Sequence, residues 1–280
     1  MDRAISINGG LGRCICALPA LHKAGGLVIT NGWEELYALT DLNCVEAGSS
    51  IIGGLLDNVD VITPEPYHQG GYRKGEYTMI DAFAKDIGVE LDEEPYYGLY
   101  PDSTASQIMY QRIQEAGAEG KPIVTIQVIA SGPGNVRNLN EDTTKNAIEA
   151  CRELGLFPVI IGDSNIGFET DCTMAQNTTL TEYISLIAIS DLFIGGDSSG
   201  MHIAKALNKP GVIYLTSTSG TKYYPEHFIE FRHPNFESSF EYPRLFEAEQ
   251  RQMKKNARMG VNNYFISKED FTEVINKIRG

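Results

Sequence analysis

Asp191-Leu192-Phe193-Ile194-Gly195-Gly196-Asp197-Ser198-Ser199-Gly200-Met201-His202-Ile203-Ala204-Lys205-Ala206-Leu207-Asn208-Lys209-Pro210 decides how the rest of the 280-residue chain is read. Asp191 to Gly195 is a short apolar run of the kind that forms a strand buried on both faces. Two glycines, an acid, two hydroxyls and a glycine then lead into Met201–Leu207, whose spacing is helical. A strand, a glycine turn and a helix leave free backbone N–H groups at the positive end of a helix dipole, a setting that favours an anion. Ser198 and Ser199 can add hydroxyl donors to a phosphate there, and His202, in the first helical turn, can point at the same anion. The competing reading is structural: Asp197 and Ser198 only cap the helix. The residues of this stretch leave both readings open.

Outward from it, the same alternation repeats. Ile123-Val124-Thr125-Ile126-Gln127-Val128-Ile129 is a nearly unbroken strand run, Thr143 to Leu154 a helix, Pro158 to Gly162 a strand and Thr181 to Ile189 a helix. Gly211 to Leu215 is another strand, and Ser267-Lys268-Glu269-Asp270 opens a capped helix that runs to about Ile278. In the first third, Ala4 to Ile7, Gly26 to Thr30 and Val59 to Ile62 read as strands. Cys14 to Leu21, Thr78 to Ile87 and Gln107 to Ala116 read as helices. The polar, glycine-rich stretch Glu115 to Pro122 reads as a linker. The expectation is an α/β chain of two Rossmann-like doubly wound domains facing across a cleft, with ligands at the carboxyl ends of the strands. The domains are placed at 1–117 and 121–265, and a C-terminal helix, 266–280, is expected to pack back on the first.

Composition narrows the class. Thirty-seven acidic against 23 basic side chains give a formal charge of −14, which argues against a protein that wraps nucleic acid wholesale. No apolar run reaches the length needed to cross a bilayer, and the N-terminus lacks the basic flank and apolar stretch of a secretory signal. Five cysteines without repeated spacing predict no disulfide framework and a cytoplasmic location. Cys14 and Cys16 stand two apart on a helix and do not face one another, so they form no metal pair.

The central stretch resembles the nucleotide-binding segment of glycosyltransferase family 9, the heptosyltransferases. That family reads as a strand, Gly-(Asn/Leu)-Asp-(Ser/Thr)-Gly-x-x-His, Ala-Ala-Ala-Leu-Gly-x-Pro and another strand. Asp197, Ser198, His202, Ala204, Ala206, Leu207 and Pro210 fall on this pattern, whereas Ser199 and Gly200 depart from it. Leu180 to Ile187 resembles the preceding helix and Phe157 to Gly162 an earlier strand. Ala130 to Asn138 lies where the family carries a small-residue loop and a phosphate-contacting basic residue, here Arg137. Gly9-Gly10-Leu11-Gly12 and Ala17-Leu18-Pro19-Ala20-Leu21 resemble its N-terminal glycine turn and helix.

The resemblance implies the GT-B architecture, with the C-terminal domain holding a nucleotide-sugar donor, UDP- or ADP-linked, and inverting transfer with no resident cofactor or metal. The absence of an Asp-x-Asp pair agrees with the last point. Where the family has an Asp thought to be the general base, this chain has Arg13, which cannot accept a proton near neutral pH. The base is therefore sought elsewhere in the N-terminal domain. His68, in the glycine-rich Pro66–Arg73 loop, is the first candidate and Asp102, in Tyr100-Pro101-Asp102-Ser103, the second. Arg13 either binds a phosphate, the reading preferred, or makes a structural ion pair, with Gly10 and Gly12 beside it. Arg137, Ser198, Ser199, Gly200, His202, Ser217 and Lys222 are candidates to stabilise the departing diphosphate, with Asp197 in the same turn.

The acceptor is a lipopolysaccharide or other glycan hydroxyl, or a hydroxymethylated base in DNA, because the Gly-Gly-x-Gly-Arg turn also resembles phage-encoded glycosyltransferases. A DNA reader would draw on Arg251–Arg258, the one compact basic cluster, with Arg232, His233 and Arg244. Trp33, the sole tryptophan, either stacks on a sugar or base or packs in the core. Two other classes compete. One is a non-catalytic nucleotide-sugar binder that has lost the base. The other is an NAD-dependent oxidoreductase starting at Gly10-Leu11-Gly12, but Ile15 stands in place of the third glycine and no acid ends the second strand.

Overall fold

The structure, a computed structural model, describes residues 3–49, 59–74, 76–130, 137–162, 165–215, 227–232 and 265–280. The chain divides into two compact units at Tyr100–Pro101, each built on a parallel sheet. In the first, β1 (Arg3–Ile7), α1 (Leu11–Ala24), β2 (Leu27–Thr30), α2 (Glu34–Ala38), β3 (Asn43–Glu46) and β4 (Asp60–Ile62) form a sheet of order β3-β2-β1-β4. A 3₁₀ turn at Pro66–His68, a short helix α3 (Gly70–Lys74) and α4 (Met79–Ile87) follow. The buried face of α1 (Ile15, Leu18, Leu21) packs against α4, which buries Phe83 and Ile87, and Ile5 and Ile7 of β1 are buried as well. Thr78 and Asp81 close α4 with a reciprocal capping box, and Gly88, at φ 77°, ends it.

The second unit carries α5 (Ser103–Ile113), β5 (Ile123–Gln127), α6 (Glu141–Glu153), β6 (Phe157–Gly162), β7 (Thr173–Gln176), α7 (Leu180–Ile189) and β8 (Leu192–Gly196). It continues through α8 (Ser199–Ala206), β9 (Gly211–Leu215), β10 (Ile229–Arg232) and α9 (Lys268–Arg279). The sheet order is β10-β9-β8-β5-β6-β7, all parallel. Strands β5 and β8 are buried along their whole length, as their near-continuous apolar runs predict. Val124, Ile126, Ile160, Ile194 and Val212 from the sheet meet Ile148, Cys151, Phe271 and Ile275 from the helices in one core.

Three features differ from expectation. First, α5 belongs to the second unit. Its buried Met109 and Ile113 pack with α7, and Arg112 pairs with Glu182 at 3.3 Å. The boundary therefore falls at 100/101 instead of at 117–121. Second, residues 114–120 are a helix-to-strand connection within one unit. Their glycines serve left-handed backbone, with Gly117 at φ 103° and Gly120 at φ 78°. Third, α9 belongs to the second unit. Phe271 and Ile275 are buried in the core just described, Asn146 donates to the Ile266 carbonyl at 2.8 Å, and Lys268 pairs with Glu153 at 2.6 Å. No helix among the described residues is long and apolar enough to cross a membrane.

Candidate functional site

In each sheet the chain reverses its direction of growth once. In the second unit β5 is followed outward by β6 and β7, and the chain then returns to lay β8 on the other side of β5. Ligands in open parallel sheets bind at the carboxyl end of such a switch point. At the β5/β8 switch stand Gln127, Gly195, Gly196, Asp197 and Ser198, with Arg137 from the segment after β5.

Ser198 occupies the N-cap position of α8, but its side chain makes no capping bond to the helix. Its hydroxyl turns back toward the sheet, donating to Gln127 Oε1 and, at 3.3 Å, to the Gly196 carbonyl. The cap reading therefore fails, and the first-turn amides of α8 have no side-chain cap. The Ser198 hydroxyl is directed inward, so what this residue offers an anion is its backbone. Ser199, half-buried, is the most open residue of the turn.

Both glycines that flank the turn are required by close approach. A Cβ on Gly196 would stand 2.4 Å from the Arg137 carbonyl, and one on Gly200 2.3 Å from Gln127 Oε1 and 2.7 Å from the Tyr183 hydroxyl. Gly200, a departure from the family pattern, fits because Tyr183 and Gln127 fill the space beneath it.

Charge at the switch is arranged around Arg137. Its Nη1 donates to the Asp197 carbonyl at 2.9 Å and lies 3.7 Å from the Asp197 carboxylate, which is nearly fully buried. Asp197 thus orients the guanidinium. His202 is buried; desolvation pushes its pKa down to about 4, with Asp197 opposing and Arg137 adding to the fall. At neutral pH it is an uncharged imidazole, able to donate one hydrogen bond to an anion but not to supply a charge.

The first unit shows the same plan with a different outcome. Its switch lies between β1 and β4, where Gly10 is the N-cap of α1 and Gly12 and Arg13 lie in its first turn. Of the two expectations for Arg13, the ion pair is what the structure shows, and the preferred phosphate reading gives way to it. Arg13 Nη1 donates to Glu65 Oε1 at 2.9 Å, Nη2 to Glu65 Oε2 at 3.1 Å and to the Pro64 carbonyl at 2.9 Å. The guanidinium lies 5.4 Å from the Tyr67 ring centroid and 5.6 Å from that of Phe83. Gly9, at φ 106°, is needed because the Arg13 side chain lies across it, its Cδ 2.8 Å from where a Cβ would be.

His68 ends the 3₁₀ turn three residues after Glu65 and is exposed. Trp33 is neither core nor fully free: its indole Nε1 donates to the Gly9 carbonyl at 2.9 Å while 40% of the residue stays exposed. Asp102 caps α5, accepting from the Ala105 amide at 2.7 Å in the second unit. Asp102 therefore stands in the second unit and not, as expected, in the first. Ser217, Lys222, His233, Arg244 and the 251–258 cluster lie outside the described residues. Arg232 is paired with Glu230, its Nε donating at 2.8 Å.

Sequence reasoning missed Glu65 and Gln127. A buried arginine demands a counter-charge, and a lone glutamate after the β4 run was the available signal. Gln127 announced itself as the single amide in an otherwise β-branched strand. Cys14, Cys16, Cys151 and Cys172 are buried free thiols, and burial raises the pKa values of Cys14, Cys151 and Cys172, as befits packing groups.

Residues 160–227 match the family model of glycosyltransferase family 9 (heptosyltransferase). No curated protein sequence matches the chain. Among solved structures it is similar to the glycosyl transferase family 9 of Veillonella parvula, at 12% identity and TM-score 0.73, with 99% of this chain and 98% of that chain covered. It is likewise similar to the ADP-heptose lps heptosyltransferase II of E. coli, at 13% identity and TM-score 0.69, over 99% and 98% of the two chains. A third is TibC, an iron-containing dodecameric glycosyltransferase from enterotoxigenic E. coli, at 16% identity and TM-score 0.68, over 99% of this chain and 76% of that one. Among the described residues here, no three His, Cys, Asp or Glu gather as metal ligands. The matched segment spans the β6–β9 region that builds the second switch point, and the two parallel-sheet units have the GT-B fold. Together these show that the chain has the fold of the heptosyltransferases, and that its residues 160–227 are similar to glycosyltransferase family 9.

Proposed function

We propose that the protein is an inverting, metal-independent glycosyltransferase that moves a sugar from an ADP- or UDP-linked donor to a glycan hydroxyl. One observation carries the reading: the glycine turn at the β5/β8 switch presents an uncapped helix beside an oriented guanidinium, Arg137. A nucleoside diphosphate fits such a place by charge and by hydrogen-bond donors. An ADP-linked donor is favoured because the similar heptosyltransferase II is an ADP-heptose enzyme and TibC was solved with ADP-D-β-D-heptose.

In the transfer, the acceptor oxygen attacks the anomeric carbon from the face opposite the diphosphate. The new C–O bond forms as the old one breaks, the electron pair leaves on the diphosphate, and the configuration inverts. His68 takes the acceptor proton; it is exposed on the loop after β4, at the carboxyl edge of the first sheet. Arg137, the α8 amides, Ser199 and neutral His202 stabilise the charge gathering on the leaving group.

The test is thermal stabilisation and nucleotide release over a panel of ADP-, UDP-, GDP- and CMP-sugars, followed by acceptors that include oligosaccharides and hydroxymethylated DNA. A donor at about 100 Kd should add about 2.7 kcal/mol. His202→Ala should weaken that response, and His68→Ala should cut turnover while leaving donor affinity nearly unchanged. No response to any nucleotide sugar would reduce the resemblance to one of fold.

A further inference from the structure

Trp33, the only tryptophan of the chain, is held in a way that folding does not explain. It follows β2 at the carboxyl edge of the first sheet, with φ 67° and ψ 33°. A bulky L-residue in this left-handed region costs about 1–2 kcal/mol relative to glycine or asparagine. Burial offers weak compensation, because 40% of the residue remains in water. Its one polar atom is already used, as Nε1 donates to the carbonyl of Gly9, the first glycine of the turn before α1. The bond pins the ring edge to that turn and fixes the indole's orientation. What remains for a ligand is apolar ring surface beside the switch point.

The charges around it select among ligands. Arg13, the cation described at this glycine turn, is neutralised bidentately by Glu65. Glu34 and Glu35 follow Trp33 directly and are exposed, and Glu46 ends β3 at the same edge, in register with Thr30 of β2. An anionic ligand would meet net repulsion from these described side chains.

We infer that Trp33 is the stacking platform for the acceptor, and that the acceptor it takes is an uncharged sugar ring, laid with its C–H face on the indole. The inference rests on the reading that the first unit receives the acceptor. Aromatic side chains with a few fixed polar neighbours are the usual lining of such sites. A phosphorylated sugar and a nucleobase in a DNA strand would also stack, but both bring negative charge to an acidic edge.

Because Trp33 is the sole tryptophan, its emission reports on the platform directly. The wild-type protein is titrated with methyl hexopyranosides and neutral disaccharides, with glucose 6-phosphate, and with a hydroxymethylcytosine oligonucleotide. Saturable quenching or a blue shift is expected from at least one neutral glycoside, with an apparent affinity at least tenfold above that for the other two classes. By the scale of ring stacking on aromatic side chains, Trp33→Ala should raise the calorimetric Kd for that glycoside roughly tenfold or more, and Trp33→Tyr should restore most of it.

Unchanged emission with every neutral glycoside overturns the inference. So does an equal or stronger response to the sugar phosphate or the oligonucleotide. Nucleotide-induced thermal stabilisation is recorded on the same samples. If it persists while Trp33 stays silent, the donor reading stands and the platform falls. If Trp33 responds and no nucleotide does, Trp33 is a neutral-sugar site, and the transferase reading falls together with the acceptor role.

Discussion

The two switch points are built from the same parts, and they end in opposite chemical states. At each, a parallel strand runs into glycines and then a helix whose N-cap residue, Gly10 or Ser198, makes no side-chain cap. Each also has an arginine with an acidic partner close by. In the first unit the arginine sits within the helix's own first turn, where its charge opposes the dipole. Glu65 clasps it with both oxygens, at 2.9 and 3.1 Å. In the second unit Arg137 comes from a separate segment and holds a backbone carbonyl, while the Asp197 carboxylate stands off at 3.7 Å. The first arrangement joins both carboxylate oxygens to one guanidinium, whereas in the second the short contact of the guanidinium is to a backbone carbonyl. A glycine turn at a switch point therefore does not by itself mean a phosphate site.

If the second switch is a desolvated anion site, its histidine should register as a pH liability. His202 falls from 6.5 in the unfolded chain to about 4 in the folded one. Both states are neutral above pH 6.5. Between there and about pH 4 the unfolded state binds the extra proton, so stability falls with pH by roughly 3 kcal/mol and the loss is complete below the folded value. Denaturation of the wild type against His202→Gln across this window should show the wild type losing the larger amount. Parallel curves would break the comparison. A bound diphosphate should raise the His202 pKa and flatten the slope, which proton NMR of the imidazole would follow.

The first switch is tested through its ion pair. Glu65→Ala leaves a mostly buried guanidinium unpaired and should cost about 2 kcal/mol, less than a fully buried pair because Glu65 is a third exposed. Nucleotide affinity should stay within about twofold, since residues that share no partner couple by no more than about 0.5 kcal/mol. A large loss of nucleotide binding would mean that Arg13 serves the donor after all. The smallest effect is expected at Asp102. Asp102→Ala removes the α5 cap and should cost about 1 kcal/mol with turnover unchanged; a drop in rate at constant stability would return it to the chemistry.

The strands that lie inside both sheets were legible in the sequence, because burial on two faces demands unbroken apolar runs such as Ile123–Gln127 and Leu192–Ile194. Three of the four edge strands were not, β4 being the exception. β3, β7 and β10 have no fully buried residue, so nothing in Asn43–Glu46 or Thr173–Gln176 distinguishes a strand from a polar loop. Domain limits failed for a related reason. Glycines at 117 and 120 are needed equally by a linker and by a left-handed helix-to-strand turn, and only packing partners separate the two. At the site, the glycine turn with Arg137 and His202 was readable as a local pattern. The Arg13–Glu65 pair joins residues 52 apart, and Gln127 and Ser198 meet across 71; neither contact leaves a mark on a one-dimensional chain.

The clasp between Arg13 and Glu65 also governs which sequences are neighbours of this one. Replacing Arg13 by Asp, the residue the resembled family carries there, would face one carboxylate with another at ion-pair distance. Replacing Glu65 by Arg would oppose two guanidinium groups. Each single reversal is thus a less stable protein than either charge pattern complete. A return to an acidic glycine turn must alter both positions or pass through a neutral residue at one of them. The sign of the charge at that turn is inherited as a unit.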